Sequence, residues 1–384
     1  MRIQTSLIAL ALISAASAAQ AGPLCDAARA AAPGRPCAES EHGVALAFTQ
    51  DRATELLGYA RRGEEAFKAD FGVDPSRYVI SETGATDRED RADALKAAGF
   101  AIVVPWRLRQ AQINAEVGAL RSRFQEMMAM NGMSDEQIDQ ALEQPLARMR
   151  ERHTPEAMAA NEAGAIPRQL GVGWYARAFW PDVAPEPEAR HASPGPDWMD
   201  EIAGQLLETQ AMADDKRAQF AEIWSGRHRM APKTDAARLA DLPAFLSAEH
   251  PMRAMGGGLG GPGAGGGPVR VMMGGPGGPG GPGGGGGPMM FGGPGGGPGG
   301  PGGTRAMPAP LLYSFQARMF ADYLAEKSGD PAVFGRLGKA FGSGATFETW
   351  LAGEGAGLGL PATVEALSAD WRSWLQGRLG AQAT

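Results

Sequence analysis

Apolar and polar positions along the chain change their spacing twice, and each change marks a change of structure. Residues 43–50 alternate loosely and are mostly apolar, which predicts a short strand. Residues 51–71 follow a helical period with Leu56, Leu57, Ala60 and Phe67 on the inward stripe. Asp51 or Thr54 supplies the expected cap, and Gly72 ends the helix. Pro75 opens a second strand at 77–81, and a polar loop covers 83–90. A short helix at 91–98 is stopped by Gly99, and 100–106 reads as a buried strand. Strands alternating with helices predict a small α/β subdomain over 41–107.

Beyond Trp106 the period is helical throughout. Helices are predicted at 108–129 and 134–152, the second opened by Ser134 and Gln137 in a capping-box arrangement. Met127, Met128, Met130 and Met133 surround the join. Such a cluster suits either a metal or partner surface or adaptable core filling. Thr154 and Pro155 start another helix as cap and first residue. Residues 166–180 are apolar on most faces, which predicts a central buried helix. A Pro-rich loop at 181–196 precedes helices at 197–213 and 214–225. Residues 255–303 are almost all Gly and Pro, with too little apolar side chain to offset the entropy of ordering. The collagen-like period breaks repeatedly, so the stretch reads as a disordered insertion. Helices at 311–328, 331–341, 346–352 and 361–379 complete the chain.

The start of the chain changes the picture of where it works. Arg2 precedes an uninterrupted apolar run at 7–13, and Ala19-Gln20-Ala21 offers a small-x-small cleavage site with Gly22 as first mature residue. That run is shorter than the ~20 apolar residues needed to span a bilayer. The expectation is a signal peptide over 1–21 and a periplasmic or secreted protein with no transmembrane segment. In an oxidising compartment Cys25 and Cys37 pair, closing a 22–40 amino-terminal segment. A redox pair would show tighter C-x-x-C spacing. The formal net charge is −7 and no Lys/Arg cluster stands out, which argues against a nucleic-acid partner. No phosphate-binding loop or G-x-S-x-G elbow is present.

The chemically specific stretch is Ile166-Pro167-Arg168-Gln169-Leu170-Gly171-Val172, followed by Pro196-Asp197-Trp198-Met199-Asp200-Glu201. Upstream stands Phe71-Gly72-Val73-Asp74-Pro75; downstream stand Tyr323, Gly329-Asp330 and Trp371. In order and spacing this resembles the gluzincin-type zinc metallopeptidases of the peptidase MA-like group. In that family an H-E-x-x-H helix gives two zinc ligands and a general base. A second helix, introduced by P-x-W-x-x-E, gives a glutamate as third ligand. The resemblance implies an α+β fold: a small α/β amino-terminal subdomain followed by a mostly helical, zincin-like subdomain. It would comprise a helical core at 108–254, the insertion at 255–303 and a helical part at 304–384.

At the motif positions the chain departs from the family. Arg168, Gln169 and Val172 stand where the two histidines and the glutamate belong. A zinc ligand offers an imidazole, carboxylate or thiolate lone pair; Val172 has none and Arg168 stays protonated. Gln169 cannot take and return a proton as a base. Glu201 is the one ligand type retained. The register Asn161-Glu162-Ala163-Gly164-Ala165 keeps a glutamate but also lacks both histidines. Glu201 either favours its helix start through the dipole or pairs with Arg168, a cation standing where the metal would sit. Trp174, Tyr175, Trp180 and Trp198 either line a ligand groove or fill the core. Asp214-Asp215 lie on a polar face and read as solvated.

The resemblance therefore implies a peptidase relative without catalytic or metal-binding residues and without a cofactor, binding an unknown peptide or protein. Two alternatives stay open. One is an active metallohydrolase whose zinc is held by Glu201 with His153 or His191. The other is a structural or surface protein acting through the Gly/Pro segment.

Overall fold

The computed structural model describes residues 22–84, 90–129, 134–183, 193–228, 234–251 and 309–380. Residues 1–21, expected from the sequence to be a signal peptide, lie outside them, as do Met130, Met133, His191, the Gly/Pro insertion and the side chains of Met127 and Met128. The fold is α+β: mostly helical, with one four-stranded mixed sheet.

The sheet contains β1 (Cys37–Glu39), β2 (Gly43–Leu46), β3 (Tyr78–Thr83) and β4 (Ile102–Arg107), in that spatial order. β1 runs antiparallel to β2, and the other pairings are parallel. Side chains alternate between the two faces. Val44, Leu46 and Val79 meet helices α1 (Pro23–Ala31) and α3 (Asp90–Ala97) in one apolar layer. Ala45, Tyr78, Ile80 and Val104 face the main core under α2 (Gln50–Phe71). Pro105 lies in β4, an edge strand where a missing ladder N–H is tolerated.

Neither α1 nor β1 follows from apolar spacing. The Cys25–Cys37 disulfide holds them together, with the two Cα atoms 5.8 Å apart. The cap of α2 is Thr49, whose side chain accepts from the Arg52 N–H, in place of Asp51 or Thr54. Gly72 closes the helix at φ 66°, a left-handed position that suits glycine.

Helices α4 (Arg109–Ala129) and α5 (Asp135–Arg152) form an antiparallel arm with its own small apolar cluster of Phe124, Ile138 and Leu142. The Ser134–Gln137 capping box is formed in both directions. α6 (Pro155–Phe179) begins at the Thr154 cap with Pro155 in the first turn. It then runs unbroken through the expected start at 166, with Pro167 inside it. An internal proline frees the carbonyl four residues earlier. Here that carbonyl, of Ala163, receives Arg62 Nη2 at 3.5 Å. Gly63 on α2 lets the proline ring come close: a Cβ there would lie 2.9 Å from Pro167 Cβ.

The expected 197–213 helix is two pieces. α7 (Asp197–Leu206) ends, and Thr209 caps α8 (Gln210–Trp224). Two short helices unforeseen in the spacing follow, α9 (Thr234–Ala240) and α10 (Leu242–Ser247). The carboxy-terminal region contains α11 (Ala309–Ser328), α12 (Val333–Gly342), α13 (Phe347–Trp350) with a π-helical turn at Leu351–Gly355, and α14 (Val364–Leu379). One apolar cluster runs from Ala45 and Phe67 through Trp174 and Trp198 to Trp371, so sheet and helices share a core.

Candidate functional site

α6 and α7 cross closely because two glycines face each other across the contact. A Cβ on Gly171 would lie 2.8 Å from the Ala203 carbonyl oxygen, and one on Gly204 would lie 3.0 Å from Arg168 Cγ and 3.1 Å from Val172 Cγ2. This crossing brings Arg168, Val172 and Glu201 together. Arg168 Nη2 donates to Glu201 Oε1 at 2.6 Å, and Nη1 donates to Glu208 Oε1 at 2.6 Å. Gln169 is half-buried on the same helix.

The network extends beyond the pair. Lys216 of α8 places its ammonium 2.6 Å from both Glu208 oxygens. Gln205 donates its amide to Glu201 Oε1 at 2.6 Å and to the Ser314 carbonyl at 2.8 Å. His250 Nε2 lies 3.8 Å from Glu201 Oε2. The His250 backbone N–H donates to Asp197 Oδ2 at 2.7 Å, and its ring meets Tyr313 edge-on at 4.8 Å. Two cations, Arg168 and Lys216, thus face two carboxylates, Glu201 and Glu208. Both carboxylates are essentially out of water, with side-chain exposures of 1% and 0%.

Burial alone would lower the Arg168 pKa, but the charges of Glu201 and Glu208 outweigh it and hold the guanidinium above its ordinary value. Lys216 is lowered to about 8, first by burial and then by Arg168, against the pull of Glu208 and Glu201. The arrangement is a cross-brace linking α6, α7 and α8. Zinc, which the family resemblance implies, does not suit these donors. The guanidinium and isopropyl groups offer no lone pair, and Glu201 Oε1 already accepts from Arg168 and Gln205. Among the described residues no three His, Cys, Asp or Glu side chains gather in a way that would hold a metal ion.

His153 does not join Glu201. Its Nδ1 lies 2.7 Å from the Met149 carbonyl and its Nε2 2.8 Å from Glu116 at the base of the arm. Glu162, the glutamate of the other register, is clamped elsewhere. Its Oε1 accepts from Arg52 at 2.6 Å and from the Trp106 indole at 3.0 Å, while Oε2 accepts from Arg52 and Arg109, both at 2.9 Å. Arg52 also reaches Glu82 at the end of β3 and Glu55. Burial would raise the Glu55 carboxyl, but hydrogen bonds from Tyr59, Arg52 and Arg109 outweigh it and bring it to about 2. This second cluster ties the strand ends to α2 and α6.

Trp174, Tyr175 and Trp198 are core residues with exposures of 1% or less, and Trp180 packs against the same core. Asp214 and Asp215 take hydrogen bonds from Arg217 and Gln219 on their own helix. Sequence reasoning missed Gln205, Glu208, Lys216, His250 and Ser314. One signal was available: Glu201, Gln205 and Glu208 stand at helical i, i+4, i+7 spacing, a polar stripe on one face. No family model, curated protein or solved structure matches this chain.

Proposed function

We propose that this chain is an exported, peptidase-like protein that does not hydrolyse peptides and instead binds a peptide or protein partner. The observation that carries the reading is the Arg168–Glu201 ion pair at the α6–α7 crossing. An active relative would need lone pairs from both helices there to hold zinc and activate water. This chain supplies a fixed positive charge, and the surrounding carboxylates and amides are spent on one another. Retention of the two-helix frame without its donors favours a binding role over a catalytic one. The Cys25–Cys37 disulfide is compatible with an oxidising compartment. No described helix is long and apolar enough to cross a membrane.

The test uses the purified full chain. Metal content is measured by mass spectrometry, and an unbiased peptide library is incubated with the protein and recovered. The expected result is no stoichiometric zinc and selective retention of intact peptides. One zinc per chain, with peptide cleavage abolished in Glu201→Ala, would overturn the proposal. A chain lacking 255–303 tells whether the Gly/Pro segment contributes to retention.

A further inference from the structure

We propose that the protein is processed between Ala21 and Gly22, and that the new α-ammonium of Gly22 docks on the Glu39 carboxylate. The structural basis is separate from the small-x-small pattern in the sequence. Gly22 is the N-cap of α1 and has no side chain to cap the helix. The cap comes instead from β1: Glu39 Oε2 accepts the Cys25 backbone N–H at 2.7 Å. The other carboxylate oxygen presses against Gly22 so closely that any Cβ there would collide with it. Gly22 has φ −88°, a conformation open to every residue, so backbone strain does not set the glycine; what marks the position is the nearness of the Glu39 carboxylate. The neighbouring group is a carboxylate beside the residue expected to come first in the mature chain. Standard covalent geometry puts the Gly22 nitrogen within about 4 Å of that oxygen.

Hydrolysis of the Ala21–Gly22 amide consumes one water, leaves a carboxylate on Ala21 and gives Gly22 a primary amine that takes up a proton. A neutral amide N–H beside Glu39 thereby becomes a cation. A charge-assisted hydrogen bond is roughly twice as strong as a neutral one. A positive charge at a helix amino terminus is disfavoured by the helix dipole, so the ammonium needs a local anion. Glu39 serves ammonium and helix end together, and the Cys25–Cys37 bridge holds its strand against α1. A cavity of about 360 Å³ lined by Pro23, Leu24, Glu39, Glu41 and Arg77 borders the Glu39 carboxylate.

The experiment exports the full chain and determines its amino terminus by sequencing and intact mass. It then compares Glu39→Gln in the processed protein and in one carrying an extra Ala before Gly22, which moves the ammonium by about 3.8 Å. The glutamine keeps an acceptor for the Cys25 N–H and removes only the charge. The expected result is Gly22 as first residue. Glu39→Gln should lower the melting temperature by about 2–4 °C in the processed protein and by less than half of that in the extended one. Acylation of the terminal amine at neutral pH should run several-fold faster in Glu39→Gln. A different first residue, an equal melting shift in both chains or an unchanged acylation rate would overturn the proposal.

Discussion

Replacing Arg168 by Met keeps the aliphatic stem over the α6–α7 crossing and removes the charge. Two hydrogen bonds of 2.6 Å disappear, to Glu201 and to Glu208. Glu208 keeps Lys216, while Glu201 loses the guanidinium that it shares with the Gln205 amide. Its side chain is 1% exposed, so water cannot take the place of the guanidinium. Removing one partner of a buried ion pair costs about 3–5 kcal/mol. The second substitution, Glu201→Met, removes the opposing buried charge, and replacing a buried pair by apolar groups is often close to neutral. Arg168→Met/Glu201→Met should therefore be more stable than Arg168→Met alone, by about 2 kcal/mol or more. Urea unfolding with an unchanged slope reads both differences directly. An Arg168→Met variant within about 1 kcal/mol of the parent, below the range expected for a broken buried pair, would refute the cross-brace. So would a double variant whose loss is the sum of the two single losses.

Other substitutions test other parts of the fold. Glu162→Gln leaves Arg52 and Arg109 short of charge in the second cluster and should cost about 3–5 kcal/mol by denaturant titration. Gly171→Ala would normally favour a helix, but here the methyl group meets the Ala203 carbonyl, so a net loss of about 1–3 kcal/mol is expected in the melting curve. Serine at Cys25 and Cys37 opens a short closed loop and should cost about 3 kcal/mol under oxidising conditions and nothing under reducing ones. Asp70 is raised to about 6 by burial, against the pull of Arg318. Its folded value exceeds the unfolded one, so its favourable contribution is present below pH ~4 and lost as pH rises through about 6. Asp70→Asn should then stabilise the protein by about 1–3 kcal/mol at pH 7, with the gain vanishing below pH ~4 in a pH series of unfolding curves.

Three helix ends were legible because local chemistry sets them. Ser134 with Gln137, Thr154 with Pro155, and Gly72 act within four residues of sequence and do the same in the fold. The inward stripe of Leu56, Leu57, Ala60 and Phe67 is likewise local, and all four are buried. α1 and β1 were not legible, since a three-residue strand carries no period and its pairing with β2 depends on a distant register. The start of α6 at Pro155 and its run through Pro167 were not legible as one helix, since the carbonyl that Pro167 frees is met by Arg62 from another helix. The ion pairs lay at the limit of sequence reading. Spacing puts Glu201, Gln205 and Glu208 on one face, but nothing local says that Lys216 folds back onto Glu208 across the Thr209 break. The Arg52–Glu162 clamp joins residues more than a hundred positions apart, and no periodicity encodes such a partner.

The cations that bind α6, α7 and α8 into one unit are covalently part of the chain. They arrive with translation, in fixed number, and no chelator can withdraw them. The positive charge facing Glu201 and Glu208 at that junction is thus written into the sequence itself.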